Sequence, residues 1–293
     1  MAPDRIDLNA VPALPTLNAA ALPPLCFVGG GNMAVSMIGG LLAAGLPPAR
    51  IRVAQRNVVR AQALRERFGI EVDADPAKAV AGCTIVVLAV KPQQMSEALS
   101  QFSLPAATTV ISVAAGVRVA SFARRLPGCH IIRAMPNTPA LLQAGMSGLY
   151  APPDTPVQAR AQAQALLAAA GDTCWVDSEA QLDALTAVSG CGPAYYFKLT
   201  EALRDAGTAL GLDAALSARL ALQTFIGAAR MAAVGDADVA LLRQQVTSKG
   251  GATEAALQSL ESGGLDRMFV VALRAAEQRS RKRGDDLERS TTA

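Results

Sequence analysis

The chain has 293 residues, a length that favours two domains. Hydrophobic residues make up 51% of it and charged residues 17%, which excludes a disordered chain and provides material for a large core. The net charge of +3 is small and spread along the chain, so no nucleic-acid partner is expected. The single histidine, His130, excludes mechanisms and metal sites that need two histidines from one chain.

The five cysteines are odd in number, far apart and never in C-x-x-C spacing, which indicates buried thiols in a reducing compartment and no metal site. Asp4, Arg5 and Asp7 interrupt the start of the chain, and the apolar run at 79–90 is too short to span a bilayer. We therefore expect a cytoplasmic protein without a membrane partner.

Residues 1–23 are rich in proline and alanine without periodicity and predict a flexible extension. The strands predicted next are Leu25–Gly29, Ile51–Arg56, Thr84–Val90, Thr108–Ala115 and His130–Met135, with weaker ones at Gly148–Ala151 and Thr173–Val176. The helices predicted among them are Asn32–Ala44, Val58–Phe68, Gln93–Phe102, Val119–Leu126 and Val157–Ala170. This alternation predicts an α/β domain over 24–181 with a doubly wound, mostly parallel sheet.

After about residue 181 the pattern is purely helical. The predicted helices are Ala194–Leu210, Ala214–Val234, Val239–Gln245, Glu254–Leu260 and Leu265–Arg281. Asp213 is placed as an N-cap, and Gly211, Gly235 and Gly284 as helix terminators. The sequence thus predicts an all-helical domain over 182–284 and a C-terminal tail over 285–293. The basic cluster Arg279, Arg281, Lys282 and Arg283 is expected to complement the negative end of the last helix.

The helix predicted at Ala214–Val234 is apolar around most of its circumference. Such a helix must be buried on all sides, and a small helical domain can hardly enclose it. We therefore predict burial against a partner subunit, with burial inside one subunit as the alternative.

A glycine motif lies between the first predicted strand and helix. Gly29-x-Gly31-x-x-Ala34 matches the dinucleotide-binding fingerprint of Rossmann-type folds, in which the glycines permit a tight turn and close approach of a pyrophosphate. The helix that follows would add partial positive charge at its N-terminus.

The end of the second predicted strand bears on the choice of cofactor. NAD enzymes normally place an acid there, whereas this chain has Gln55, Arg56 and Asn57 and no acid between Ile51 and Arg65. Arg56 can pair with a 2′-phosphate, which favours NADPH over NADH. The alternative is that Arg56 is only a solvated surface charge.

Later strand ends supply further candidates, because the carboxyl ends of the strands line the ligand crevice of an open α/β sheet. The candidates are Val90, Lys91 and Pro92 after one strand, Ala114 and Ala115 after the next, and Asn137 in a rigid loop between two prolines. Lys91 is suited to a cofactor phosphate or ribose, the small alanines to a nicotinamide ring, and Asn137 to donating a hydrogen bond to a carboxamide or substrate.

The segment 246–253, with sequence VTSKGGAT, precedes a helix in the second half. Its turn would present several backbone N–H groups to one point, an arrangement suited to a carboxylate. The candidates are Ser248, Gly250, Gly251, Ala252 and Thr253. The Thr253 hydroxyl is placed either to cap the helix or to touch a bound substrate.

Together these motifs resemble the pyrroline-5-carboxylate reductase family over about residues 25–283. The stretches that carry the resemblance are 28–34, 90–93, 112–116, 135–139, 189–195 and 246–260. The resemblance implies a Rossmann-type domain followed by a helical dimerisation domain, as homodimers that assemble into larger rings such as a decamer. It also implies that Asn32 and Met33 lie near the cofactor, and that Asp236 stands where the family often has a glutamate at the substrate site.

The resemblance implies NADPH- or NADH-dependent reduction of Δ1-pyrroline-5-carboxylate to L-proline, the last step of proline biosynthesis, with Thr253 meeting the ring nitrogen. Lys249 departs from the proline of many members, and Pro76 from the asparagine that some use on the adenine side. Two rivals remain open. One is a β-hydroxyacid dehydrogenase using Lys198, and the other is a non-catalytic NADPH-binding sensor.

Overall fold

The computed structural model describes residues 22–234 and 238–292, with side chains to residue 286. The chain divides into two compact units. The first, called the sheet unit below, contains the described residues 22–191 and 274–292. The second, called the helical unit, contains 192–234 and 238–273.

The sheet unit is built on eight strands in the order β3-β2-β1-β4-β5-β6-β7-β8. All neighbouring strands are parallel except the antiparallel pair β6 and β7. The strands are β1 Leu25–Val28, β2 Ile51–Ala54, β3 Glu71–Asp73, β4 Ile85–Leu88, β5 Thr109–Ser112, β6 His130–Met135, β7 Gly145–Tyr150 and β8 Gly171–Trp175. The order reverses between β1 and β4, which is the topological switch of a doubly wound sheet.

Helices cover both faces of this sheet. They are α1 Asn32–Ala43, α2 Val58–Phe68, α3 Pro76–Val80, α4 Met95–Leu99, α5 Val119–Arg125, α6 Val157–Ala168 and α7 Glu179–Leu185. Apolar residues of α1, α2 and α6 form one core cluster, and those of α3, α4 and α5 form another. In β1, Leu25 and Phe27 belong to the first cluster and Cys26 and Val28 to the second. The strands are thus buried on both faces, which confirms the predicted α/β class.

The differences from the predicted elements are local. The strand Glu71–Asp73 and the helix Pro76–Val80 were not predicted. The strand lies at the edge of the sheet and has one buried side chain, Val72, so it is too short to show periodicity. The helix expected at Gln93–Phe102 is a 3₁₀ turn at Pro92–Gln94 followed by Met95–Leu99.

Strand β7 starts three residues before the predicted Gly148, because its glycines hide the strand signal. A Cβ on Gly148 would overlap with Cδ1 of Leu185, so a packed leucine fills the space that a side chain would need.

The helical unit contains α8 Gly192–Ala209, α9 Ala214–Ala233, α10 Val239–Gln245, α11 Ala252–Ser262 and the first part of α12, Leu265–Thr292. Asp213 caps α9 as predicted, since its carboxylate accepts hydrogen bonds from the N–H groups of Ala215 and Leu216 at 2.9 and 3.1 Å. Gly211 follows α8 in the left-handed region, with a φ of +96°. Gly235 lies outside the described residues.

Two predictions about the last helix are wrong. Helix α12 runs through Gly284 to Thr292, so Gly284 does not terminate it and the basic cluster at 279–283 does not lie at its end. Gly284 is buried in the sheet unit, where a Cβ would lie 2.8 Å from the Gly116 carbonyl oxygen. Glycine at position 284 therefore allows α12 to pack closely against the turn after β5. Within the cluster, Arg281 pairs with Glu277 at 2.7 Å along the helix surface.

Candidate active site

The glycine-rich loop after β1 has the geometry that a pyrophosphate requires. Gly29 has a φ of +102°, and a Cβ there would lie 2.9 Å from the carbonyl carbon and oxygen of Ala89. Gly31 is the N-cap of α1, and a Cβ on Gly31 would meet no atom within 4 Å. The loop thus combines a turn that only glycine adopts easily with open space in front of a helix N-terminus.

A cavity of about 380 Å³ opens at this loop, at the carboxyl ends of β1, β2 and β4. The predicted cofactor residues that line it are Gly29, Gly31, Gln55, Arg56, Asn57, Val90 and Lys91. The lining residues that the sequence did not single out include Arg60, Gln94 and Gln101. Pro76, which had no assigned role, also lines it.

The other six predicted cofactor residues, Asn137 among them, lie outside this lining. Asn32 and Met33 are the first two residues of α1, and Pro92 begins the 3₁₀ turn after Lys91. Ala114 is buried and Ala115 half-buried in the turn after β5.

The side chain of Asn137 forms hydrogen bonds within the protein. Its side-chain Nδ2 donates to the carbonyl oxygen and the hydroxyl of Ser189, both at 3.2 Å, and its Oδ1 accepts from the N–H of Met146 at 2.9 Å. Both ends of the Asn137 amide therefore form hydrogen bonds within the protein. These hydrogen bonds connect the loop after β6 to β7 and to the turn before α8. The predicted hydrogen bond from Asn137 to a carboxamide or substrate stays a prediction, and it would replace a contact with Ser189.

The cavity has a strongly cationic lining. Arg56, Arg60 and Lys91 line it, and no carboxylate does. The turn that carries Arg56 is fixed locally. The Asn57 N–H donates to Gln55 Oε1 at 3.0 Å, and Asn57 Oδ1 caps α2 by accepting from the Arg60 N–H at 3.0 Å. Arg60 was detectable from sequence, since it is the third residue of the predicted α2 and lies in its first turn.

In the helical unit, the predicted anion-binding turn forms at the start of α11. Gly250 adopts a φ of +71°, and the Gly251 N–H donates to the Ser248 carbonyl at 3.0 Å. The Gly250 N–H donates to the carboxylate of Glu254 at 2.7 Å, so a carboxylate of the chain itself binds one of the predicted amides. The amides of Ala252 and Thr253 form no hydrogen bond within the described part of the chain.

The alternative that Thr253 only caps α11 is wrong. The N-cap is Gly251, without a side-chain cap hydrogen bond, and Thr253 is the second residue of the helix. The Thr253 side chain is exposed. Asp236, the remaining predicted substrate residue, lies outside the described residues.

Other candidate groups do not form a site. The side chain of Lys198, which a β-hydroxyacid dehydrogenase would use, is 72% exposed and pairs with Glu201 at 3.3 Å. Cys26 and Cys83 are buried as predicted, whereas Cys129, Cys174 and Cys191 are only half-buried. Burial raises the pKa of the Cys26 thiol to about 12. Over the described ranges, no cluster of three or more histidine, cysteine or acidic side chains could hold a metal ion.

No helix in the described part of the chain is both long and apolar enough to cross a membrane.

Two family models match complementary parts of the chain. Residues 24–116 match the family described as NADP oxidoreductase coenzyme F420-dependent. Residues 179–283 match the family described as pyrroline-5-carboxylate reductase dimerisation. The first match contains the glycine-rich loop and every residue that lines the cavity, and the second contains all described residues of the helical unit.

Individual proteins are similar to the chain over most of its length. Pyrroline-5-carboxylate reductase of Pseudomonas aeruginosa is 45% identical over 269 residues, which are 90% of this chain and 98% of the relative. The Pasteurella multocida enzyme of the same name is 41% identical, over 88% of this chain and 96% of the relative. The solved structure of a pyrroline-5-carboxylate reductase from Coxiella burnetii superposes with a TM-score of 0.85 at 39% identity, covering 89% of this chain and 98% of that one.

The Rossmann-type sheet, its glycine-rich cavity and these similarities define the class as the NAD(P)-dependent oxidoreductases. Within that class, the chain belongs to the pyrroline-5-carboxylate reductase family.

Proposed function

We propose that the chain reduces Δ1-pyrroline-5-carboxylate to L-proline, the last step of proline biosynthesis, and that it prefers NADPH. The observation that carries the proposal is the similarity, over nine tenths of the chain, to relatives that bear this enzyme's name. The cofactor residues are those of the cavity: Gly29, Gly31, Gln55, Arg56, Asn57, Val90 and Lys91. Asn32, Met33, Pro92, Ala114, Ala115 and Asn137 complete the proposed set.

The charges of the side chains that line the cavity support the preference for NADPH. Three cationic side chains and no carboxylate line the cavity, and Arg56 follows β2, where an enzyme that prefers NADH normally has an acid. A Plasmodium falciparum relative, described as having NADP bound, superposes with a TM-score of 0.73 at 26% identity, over 89% of this chain. We expect NADH to be a poorer hydride donor than NADPH for this enzyme.

The proposed substrate site is the turn at the start of α11. The amides of Ala252 and Thr253 are available to the substrate carboxylate, and Ser248, Gly250, Gly251 and Asp236 form the rest of the proposed site. The exposed Thr253 hydroxyl would hold the ring nitrogen. When bound, the reduced nicotinamide supplies a hydride to the imine carbon, while the nitrogen receives a proton. Because an iminium is already electrophilic, the chain needs to position and desolvate the substrate more than to supply a strong acid.

The family match for dimerisation supports an oligomer, and we propose a homodimer that assembles into a decamer. The division into an extension at 1–23, a dinucleotide-binding domain at 24–181, a helical domain at 182–284 and a tail at 285–293 stays a prediction, as does the cytoplasmic location.

Turnover tests the proposal directly. Absorbance of NADPH at saturating Δ1-pyrroline-5-carboxylate should fall with formation of proline, and more slowly with NADH. NADPH binding without turnover would refute the reductase and favour a sensor. Turnover of a 2-hydroxy acid with loss of activity in Lys198→Met would favour the dehydrogenase.

The role of Thr253 is tested by Thr253→Ala. We expect loss of about 1–2 kcal/mol of transition-state stabilisation, or about 5- to 30-fold in kcat/KM, from one missing hydrogen bond. Thr253→Ser should recover most of the activity, because it restores the hydroxyl. Ser262→Ala, at the far end of α11, is the matched control. Full activity of a folded Thr253→Ala variant would remove Thr253 from the mechanism.

A further inference from the structure

Arg56, the proposed partner of the 2′-phosphate, is already engaged by a carboxylate. Its Nη1 lies 2.6 Å from Oε1 of Glu97, and the two side chains are 58% and 56% exposed. Arg56 follows β2 and Glu97 lies on α4, so two separate elements of the sheet unit bring the pair together.

This pair distinguishes Arg56 from the other cations of the cavity. Arg60 and Lys91 also line it, but within the described residues only Arg56 of the three has an ion-pair partner. Helix α4 and the turn before it contribute Gln94 and Ala98 to the same lining. Glu97 therefore introduces one negative charge at the edge of a cavity that is otherwise lined by positive charge.

We infer that Glu97 is a specificity-determining residue that weakens the preference for NADPH by competing with the 2′-phosphate for Arg56. The inference rests on the proposed use of a nicotinamide dinucleotide. A 2′-phosphate must displace the Glu97 carboxylate from the Arg56 guanidinium and then remain near that carboxylate, and like charges repel. A 2′-hydroxyl carries no charge, so NADH binds with the ion pair intact.

The test is direct binding in the absence of substrate, measured by isothermal titration calorimetry on the full chain. Glu97→Gln keeps the shape of the side chain and removes its charge. We expect about a three- to tenfold lower Kd for NADPH and less than a twofold change for NADH. Adenosine 2′,5′-bisphosphate and 5′-AMP isolate the phosphate, and only the bisphosphate should bind more tightly.

The matched control is Glu71→Gln. Glu71 forms a similar exposed pair with Arg52 at 3.1 Å, and neither residue lines the cavity. This variant has the same change in net charge and should leave both Kd values unchanged. An equal gain in NADPH affinity in Glu71→Gln would show that only net charge matters and would overturn the inference.

The double variant shows whether Glu97 affects NADPH binding through Arg56. In an Arg56→Gln background, Glu97→Gln should improve the NADPH Kd clearly less than it does in the unmodified chain, because the competition for Arg56 is gone and only the repulsion between Glu97 and the 2′-phosphate remains. An unchanged ratio of NADPH to NADH Kd in Glu97→Gln would refute the inference while leaving the reductase proposal intact. Absence of NADPH binding to the unmodified chain would refute both, and binding without turnover would refute only the reductase.

Discussion

Gly284→Ala is a substitution for which helix propensity and packing predict opposite changes in the stability of the protein. Gly284 lies inside α12, and replacing an interior glycine by alanine normally stabilises a helix by about 0.5–1 kcal/mol. At this position, however, a Cβ would lie 2.8 Å from the carbonyl oxygen of Gly116 and 3.2 Å from Nε of Arg118. Either the helix or the turn after β5 must move.

The packing effect is expected to be larger. The Gly116 oxygen belongs to a backbone held at a φ of +83°, so it cannot turn aside as the end of a side chain can. Two nearby contacts resist a shift of the helix, since Ser280 donates to Asp183 at 2.8 Å and Arg118 pairs with Asp285 at 3.5 Å. Inserting a methyl group into such packing costs about 1–3 kcal/mol. The expected net effect is destabilisation by about 1 kcal/mol.

Urea unfolding followed by circular dichroism, at one protein concentration, measures this effect. Gly39→Ala is the matched control, since Gly39 lies inside α1 and its Cβ would meet Phe68 Cε1 at an ordinary 3.8 Å. This control should gain about 0.5–1 kcal/mol from helix propensity alone. If both variants gained the same stability, the close approach of α12 to Gly116 would be refuted.

Two further predictions concern stability. The Cys26 pKa is raised from 9.0 to about 12 by burial, so the unfolded chain loses its proton first and stability should fall from pH 9 upward, by up to about 1.4 kcal/mol per pH unit. Urea unfolding of Cys26→Ala should show a shallower loss from pH 8.5 to 10.5, and equal slopes would contradict this. Asp213→Ala should lower the stability of the helical unit by about 1 kcal/mol through loss of the α9 cap. Thr253→Ala should cost no capping energy, and thermal unfolding compares the two.

The sequence predicted the fold well where elements are long and buried. Strands β1 and β4 are continuously apolar because both of their faces are covered, and β5 is buried throughout although Thr109 and Ser112 are polar. Buried runs of this kind can be recognised in the sequence without knowing their partner strands. Elements determined by tertiary contacts were missed. Edge strand β3 depends on pairing with β2, and the course of α12 past Gly284 depends on Gly116. A glycine that avoids a steric clash and a glycine that ends a helix are identical in sequence.

The same division applies to the candidate site. Its backbone features follow from local chemistry, so the glycine loop and the turn at 250–251 were found from residue types alone. Contacts between side chains of distant segments were not predicted. Glu97 is 41 residues from Arg56, and Asn137 is 52 residues from Ser189, so nothing in the local sequence indicates either contact.

The helical unit lacks a core of its own. Of its described residues only Gly192, Ser217 and Ala221 are buried. On α9, Leu220 and Leu222 are 47% and 53% exposed, which contradicts the alternative that a single chain buries this helix. Exposed apolar surface on this scale is unfavourable in water, and the family match for dimerisation covers this segment. We therefore expect a second copy of the chain to complete the core of this unit, so that the stability of α9 depends on protein concentration.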